Sequence, residues 1–237
     1  MQGNPTDHGD AEVIEVLGTL AVRGVLIEVE ADFRARSGLS FAAGYKSTNA
    51  QLIAISAGAI GDAAIMTRQG IDQLVGEGKI VAGSTADICK SGVGVAVRAG
   101  APKPDIGTAS ALRDALITAK SVAYSQDASG RYFVSMISRL KLANTLGSKS
   151  IIVRDKPVAA AVAAGEAEIG VQQVAELLPV PGIDILGPLP GDMQKTIVYV
   201  AGVPAEAHGG EAAKALVKFL TSAAAVTVLK QKGMDPS

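Results

Sequence analysis

The sequence is poor in cysteine, histidine and aromatic residues. Its 237 residues contain one cysteine, Cys89, and two histidines, His8 and His208, which excludes an internal disulfide and a multi-cysteine zinc or iron–sulfur site. Tryptophan is absent and aromatics make up 3%, so no platform for stacking nucleic-acid bases is expected. We therefore expect no metal and no cofactor. A core of Ala, Val, Ile and Leu favours helices packed on a sheet.

An excess of basic charge is also missing. Lys and Arg number 22 against 23 Asp and Glu, so phosphate neutralisation cannot drive nucleic-acid binding, and no nucleic-acid partner is expected. No apolar run reaches the roughly 18–20 residues that span a bilayer. Met1–Asp10 is polar and lacks the apolar core of a signal peptide. We expect a periplasmic protein if a signal peptide was removed, and a cytoplasmic one otherwise.

Short apolar runs alternate with segments of helical periodicity, which predicts an α/β fold with a mostly parallel sheet. The predicted strands are 13–17, 39–45, 63–67, 92–98, 121–124, 151–153, 169–171 and 197–203. The predicted helices are 21–33, 50–57, 69–77, 110–119, 131–140 and 158–164, with two more within 211–232.

The two halves of the chain share a sequence pattern. A helix ends at Gly58 before Asp62 and a strand, and another ends at Gly165 before Glu168 and a strand. Any helix-to-strand connection can look like this, or the chain holds two α/β lobes of related design. We predict lobes at 11–90 plus 197–237 and at 91–196, joined by two crossings. A cleft between such lobes favours ligand binding.

Three loops share one design, in which a strand leads through a short polar turn into a helix. They are 18–20, 46–49 and 125–130. Helix starts carry unpaired N–H groups and partial positive charge, and therefore suit anions. Ordinary helix capping explains any one loop, but the set indicates an anion site at the carboxyl ends of the strands.

Four basic residues lie in or beside these turns: Lys46, Arg68, Arg131 and Lys156. Each is either a solvated surface charge or a partner for a carboxylate ligand, which an arginine holds in a bidentate fork. The sequence contains no nucleophile elbow and no phosphate-binding loop. Catalytic residues are therefore not assigned from the residues alone, and a binding protein is favoured over an enzyme.

A longer series of segments points to a known group. They are Gly18-Thr19, Phe33 with Ser37-Gly38, Ser47–Asn49, Ile55–Asp62, Gly92–Asp105, Ala119–Ser125, Ala128–Phe133, Gly165–Gly170, Gly187–Pro190 and Lys232–Pro236. Their order and spacing over roughly 13–236 resemble the periplasmic molybdate-binding proteins and the wider type 2 periplasmic solute-binding proteins.

This resemblance implies two α/β lobes that close on a ligand like a hinged trap. It further implies a small anionic ligand, an ABC permease in the membrane as partner, and a monomeric protein. The implied ligand-binding residues are Thr19, Leu20, Ser47, Thr48, Asn49, Ser129, Gly130, Gln172 and the segment 154–156.

Several residues differ from the molybdate-binding pattern. Lys46 precedes the second turn, Arg68 follows the third strand, and Gln172 stands where a tyrosine is usual. These differences favour an organic di- or tricarboxylate over molybdate. Some proteins similar to this group are aconitate isomerases, so an isomerase acting on a polycarboxylate is the alternative, with Tyr45, Lys46 and Asp155 as candidate bases.

Overall fold

The computed structural model describes residues 13–154 and 156–237, so Met1–Asp10 and Asp155 lie outside the described residues. The strands are β1 (Val13–Thr19), β2 (Ser40–Lys46), β3 (Ala63–Thr67), β4 (Ala86–Arg98), β5 (Val122–Ser125), β6 (Ser150–Val153), β7 (Ile169–Gln173), β8 (Ile183–Pro188), β9 (Thr196–Gly202) and β10 (Asp235–Pro236). The helices are α1 (Arg23–Ser37), α2 (Thr48–Ser56), α3 (Arg68–Gly76), α4 (Ala109–Thr118), α5 (Ala128–Arg139), α6 (Ala143–Gly147), α7 (Val158–Ala163), α8 (Val174–Leu177), α9 (Gly210–Leu220) and α10 (Ala223–Gln231), with 3-10 turns at Leu20–Val22 and Gly191–Met193.

Two parallel three-strand blocks form the ends of the sheet, whose order is β2-β1-β3-β9-β4-β7-β5-β6. In each block the first strand in sequence lies between the second and the third, as β2-β1-β3 and as β6-β5-β7. The long strand β4 joins the blocks: its first part pairs with β9 and its second part with β7 and β8, all antiparallel. The predicted α/β fold is confirmed. The division into two lobes stays a prediction.

Asp62 and Glu168, the acidic residues of the sequence pattern that the two halves share, have equivalent roles. The Asp62 carboxylate accepts a hydrogen bond from the backbone N–H of Glu15 in β1, at 2.9 Å. The Glu168 carboxylate accepts one from the backbone N–H of Lys120, just before β5, at 2.7 Å. Each acid therefore fastens the start of the third strand of its block to the first strand, and the repeated sequence pattern has a structural cause.

The core follows the apolar periodicity of the sequence. In α1 the buried side chains Val25, Leu26, Val29 and Phe33 share one face. The Phe33 ring packs against those of Phe41 and Phe219, with centroids 5.9 and 5.4 Å apart. Among the described helices, none alone is long and apolar enough to cross a membrane. The pair α9 and α10, which is bent by 65°, meets those criteria only when joined.

Several elements differ from the sequence expectation: β4 and α5 begin elsewhere, and α6, α8, β8 and β10 were not predicted. Strand β4 begins at Ala86 instead of residue 92, because its first part pairs with β9. Helix α5 begins at Ala128 instead of residue 131, so Ser129 and Gly130 lie in its first turn and not in a loop. Helix α8, of four residues, was not predicted, since it is too short to show helical periodicity.

Candidate functional site

The first loop carries a buried hydroxyl. Thr19 ends β1 and precedes the 3-10 turn that leads into α1, and it is 3% exposed. Within residues 13–154 and 156–237 its Oγ1 has no hydrogen-bond partner. The next residue, Leu20, is 48% exposed. Gly18 allows the Tyr45 ring to approach, since a Cβ there would lie 3.2 Å from that ring.

The second loop is an ordinary helix cap. The Ser47 hydroxyl accepts a hydrogen bond from the backbone N–H of Ala50 at 3.2 Å, which satisfies one of the open donors of α2. Thr48 is partly buried and packs against the first turn of α3. Lys46 and Asn49 are exposed. Capping thus accounts for the acceptor role of Ser47 and leaves its proton to donate elsewhere.

A buried glutamine that sequence reasoning missed fastens these two loops together. Gln51 is 1% exposed, and its Nε2 donates to the carbonyl oxygens of Gly18 at 2.7 Å and Gly44 at 3.3 Å. Its Oε1 finds no partner among the described residues. The available signal was its spacing of four from Ile55, which places both on the buried face of α2.

The third loop enters α5 through a close turn. Ser129 is completely buried, and its Oγ has no partner in the described chain. A Cβ on Gly130 would stand 1.7 Å from the carbonyl oxygen of Ser125, so only glycine fits here. Asp127 holds the N-cap position, yet within the described ranges its side chain accepts no bond from the helix. Its carboxylate faces Ser47 of the second loop instead.

Buried polar atoms that lack a partner among the described residues mark the candidate site. In the described parts of the chain these side-chain atoms are Thr19 Oγ1, Gln51 Oε1 and Ser129 Oγ. Burying such a group unpaired costs about 1–3 kcal/mol. All three belong to the predicted loops or to the helix that follows one of them. Two are hydroxyls that can donate to a ligand oxygen.

Two carboxyl groups meet at the same loops. Burial raises the pKa of Asp127, although the charge of Arg131 and the nearby Ser47 hydroxyl oppose this. Glu176 lies on α8, which packs against the 3-10 turn that follows Thr19. Burial raises the pKa of Glu176 to about 7; the Gln172 amide opposes the shift and the charge of Asp127 adds to it. Neither carboxyl was singled out from sequence, because neither belongs to a spaced motif.

Polar side chains also connect β9 and β7, the strands on either side of β4. The Tyr199 hydroxyl in β9 donates to Oε1 of Gln173 in β7. Burial raises the pKa of Tyr199 well above its usual range, and the charge of Glu176 adds to this effect. Gln172 is buried, and its Oε1 accepts from the backbone N–H of Ala159 at 3.4 Å. The glutamine assigned from sequence thus lies beside Glu176.

Two of the four basic residues predicted for the site, Arg68 and Lys156, form salt bridges with acidic side chains. Arg68 pairs with Asp72 at 3.7 Å and with Asp87, and the Lys156 ammonium pairs with Glu166 at 2.6 Å. The charges of Arg68 and Lys156 are therefore already compensated at the surface. This agrees with the interpretation of these residues as surface charges and not as partners for a carboxylate ligand.

Two guanidinium groups converge on the third loop. Arg131 donates to the carbonyl oxygen of Gln126 at 3.1 Å, and Arg154 donates to the Oε1 of the same residue at 2.7 Å. Arg154 was named from sequence only as the start of the segment 154–156. Both arginines are exposed, so they can reach a carboxylate at the rim of the site.

Of the candidate bases named from sequence, Tyr45 is poorly suited to proton transfer near neutral pH. Burial raises the pKa of Tyr45, with the charge of Arg23 opposing it, so the phenol keeps its proton near neutral pH. Lys46 is exposed, and Asp155 lies outside the described residues.

Two surface grooves are lined by segments other than the three loops. The groove of about 510 Å³ is lined by 103–107 and 185–191. The groove of about 170 Å³ is lined by 55–60, 77–79 and 204–206.

The family model of the bacterial extracellular solute-binding proteins matches residues 14–235. The chain belongs to this family. The resemblance to solute-binding proteins inferred from sequence is therefore confirmed, and the buried hydroxyls lie in a member of a ligand-binding family.

Individual relatives agree with this assignment. The aconitate isomerase of a Pseudomonas species is 39% identical over 176 residues, covering 74% of this chain and 67% of that protein. The sulfate-binding protein of Mycobacterium tuberculosis H37Rv has a TM-score of 0.79 at 17% identity, covering 94% of this chain and 86% of that one. The periplasmic molybdate-binding protein of Azotobacter vinelandii has a TM-score of 0.73 at 17% identity, covering 94% and 99%. At such identities the two structures establish the fold of this family member.

Proposed function

We propose that this protein captures a small anion at the three loops, between two lobes formed by 11–90 with 197–237 and by 91–196. The buried hydroxyls of Thr19 and Ser129, which have no partner among the described residues, carry the proposal, because each lies at a helix start and can donate to an anion oxygen. The sulfate- and molybdate-binding proteins of the same fold support an anionic ligand. In this role the protein works as a periplasmic monomer that delivers its ligand to an ABC permease.

The charges around the loops favour an organic polycarboxylate as ligand. The Arg131 and Arg154 guanidinium groups are planar forks that match carboxylates. Asp127 and Glu176 repel an anion when they are ionised, but a protonated carboxyl can donate a hydrogen bond to a carboxylate oxygen. A ligand with several carboxylates spaced along a carbon chain can pair with the arginines at the rim and also accept hydrogen bonds from the buried donors.

Isothermal titration against molybdate, tungstate, sulfate and a series of di- and tricarboxylates tests this function. Ser129→Ala and Thr19→Val should each weaken the bound anion about 5- to 30-fold, the equivalent of about 1–2 kcal/mol for a lost hydrogen bond. Ser135→Ala, which alters an exposed serine of the same helix, is the matched control and should leave affinity unchanged. If no anion binds the unaltered protein, the proposal is wrong.

A second candidate function is the isomerisation of a polycarboxylate in the same site. The 39% identity to an aconitate isomerase favours it, and so does the presence of carboxyl groups in a site that accepts anions. Proton NMR of cis- and trans-aconitate in the presence of the protein separates the two functions. Interconversion establishes the isomerase, whereas tight binding without turnover leaves the capture function alone.

A further inference from the structure

The carboxyl groups beside the buried hydroxyls point to a specific chemical role. Resting on the isomerase candidate above, we propose that Glu176 is the catalytic acid–base residue of this site. It takes a proton from a carbon of the bound polycarboxylate and returns it to a second carbon of the same molecule. Sequence reasoning had assigned this role to other residues.

The position of Glu176 supports the assignment. Helix α8 follows β7 directly and packs against the 3-10 turn after Thr19. Asp127, two positions before Ser129 in the third loop, is near enough for its charge to act on Glu176. Helix α8 therefore lies beside the first loop, and Glu176 is close enough to the third loop to sense the charge of Asp127. In this proposal a ligand held by the Thr19 and Ser129 hydroxyls lies against the Glu176 carboxyl group.

An ionised carboxyl group in this place opposes simple anion capture. An ionised Glu176 repels the ligand and costs binding free energy, because like charges are brought together in partly buried surroundings. The same surroundings place the pKa of Glu176 at about 7, through burial and the charge of Asp127, against the opposing effect of Gln172. A group that is half ionised near neutral pH can both accept and release a proton at useful rates.

The other titratable groups around Glu176 are less suited to this role. Burial raises the pKa of Asp127 as well, but the charge of Arg131 and the Ser47 hydroxyl both oppose this shift. Tyr199 keeps its proton, because burial raises its pKa well above the usual range. Cys89 is buried, and burial raises the pKa of its thiol to about 12.

The chemistry needs no oxidant and no cofactor. In a substrate such as aconitate, a methylene carbon lies between a carboxylate and a carbon–carbon double bond. Ionised Glu176 removes one methylene proton, and the electron pair of the broken C–H bond spreads over the three-carbon unit and its carboxylate. The double bond shifts, Glu176 returns the proton to the former vinyl carbon, and the carboxylate is regenerated. Donation from the Thr19 and Ser129 hydroxyls stabilises the negative charge on the carboxylate oxygens.

The test compares the unaltered protein with Glu176→Gln in the NMR assay of cis- and trans-aconitate. We expect kcat to fall at least about 100-fold, the usual contribution of a positioned acid–base group, while trans-aconitate binds as tightly or more tightly because a negative charge is gone. The matched control is Glu211→Gln, on a side chain that is 89% exposed in α9. Glu176→Asp keeps the carboxyl group and should retain part of the activity.

The pH profile gives a readout that a structural role would not change. In the unaltered protein kcat/KM should rise with pH through about 7, because the base must be ionised in the free protein. The corresponding rise in kcat should lie at higher pH, since the bound anion raises the pKa of Glu176 further. In Glu176→Gln any residual rate should lack this rise.

Each outcome is decisive. If Glu176→Gln folds, as judged by its circular dichroism, and turns over as fast as the unaltered protein, the assignment of Glu176 is wrong while the isomerase stands. If Glu176→Gln fails to fold, an unaltered pH profile in Glu176→Asp together with full activity overturns the assignment. If the unaltered protein binds aconitate without turnover, both the isomerase and the role of Glu176 are rejected and anion capture stands. If it binds no anion, all three fail.

Discussion

Two buried hydroxyls at helix starts are the residues on which the proposed function depends most. The strand–turn–helix pattern predicted the loops that hold Thr19 and Ser129, and the family resemblance implied these two as ligand-binding residues. What sequence could not supply was their burial without a partner, which depends on how tightly the loops pack around them. Glu176 could not be predicted either, because its raised pKa comes mainly from burial, which depends on how the chain folds around it. The smaller effects on its pKa come from Gln172 and Asp127, which lie outside α8.

Replacing Ser129 by alanine should affect stability and binding in opposite directions. The change removes a fully buried hydroxyl that has no partner in the described chain, so the ligand-free protein should become more stable by about 1 kcal/mol. Affinity for the anion should fall, because a donor is lost. Thermal unfolding with and without ligand measures both effects; a variant that loses stability without ligand would show that Ser129 has a structural partner.

Anion affinity should depend on pH through Glu176. Because its pKa in the folded protein is raised to about 7, the group is neutral below this value and charged above it. Affinity for trans-aconitate should therefore be highest at or below about pH 7 and fall by up to about tenfold per unit above it. Titrations from about pH 6 to about pH 9 measure this, and Glu176→Gln should give a flatter profile. A flat profile in the unaltered protein would contradict the placement of Glu176 at the ligand.

At the scale of elements, the strand–turn–helix units were predicted well, whereas α6, α8, β8 and β10 were not predicted. β3 has the bounds expected from sequence, because its apolar run ends sharply on both sides. The start of α5 was placed too late, since Ser and Gly have low helix propensity and tertiary packing overrides it here. Helix α8 shows no periodicity in four residues, although it brings Glu176 to the first loop.

The first turn of α5 should tolerate no side chain at Gly130. A methyl group there would overlap the carbonyl oxygen of Ser125, 1.7 Å away, so the end of β5 and the helix start must separate. We expect Gly130→Ala to lower stability by about 2 kcal/mol or more and to abolish anion binding. Gly147→Ala is a matched control, because a Cβ there meets no atom within 4 Å. Equal affinity in the Gly130 variant would show that this turn does not form the site.

At the scale of the whole molecule, the two halves repeat one arrangement around a shared strand. The sequence pattern shared by the two halves predicted that they have a related design. The equivalent strand orders β2-β1-β3 and β6-β5-β7 support this prediction. The continuity of β4 from one block to the other was not predicted, because the polar residues Asp87, Lys90 and Ser91 interrupt its apolar run. Polar side chains in this strand are tolerated where it passes between the two blocks.

Asp62 should stabilise the fold in a pH-dependent manner. Burial acts to raise its pKa, but backbone N–H groups of Glu15, Gly209 and His208 donate to its carboxylate and hold the pKa below the usual value. Its contribution is therefore fully present above the unfolded value of about 3.9 and is lost as the pH falls through the lower folded value.

Replacing Asp62 by asparagine tests this contribution. Asp62→Asn should lower the free energy of unfolding by about 1–3 kcal/mol at neutral pH, because one accepting oxygen becomes a donor. Denaturant unfolding of both proteins from about pH 7 to about pH 3 should show a difference that shrinks toward acid. A constant difference would contradict the ionised state of Asp62.

The most direct test of the proposed site is a crystal structure of the protein with bound trans-aconitate. We predict carboxylate oxygens of the ligand at about 2.7–3.0 Å from both Thr19 Oγ1 and Ser129 Oγ, with Glu176 against the ligand carbon chain. A ligand bound elsewhere, with both hydroxyls still unpartnered, would contradict the account.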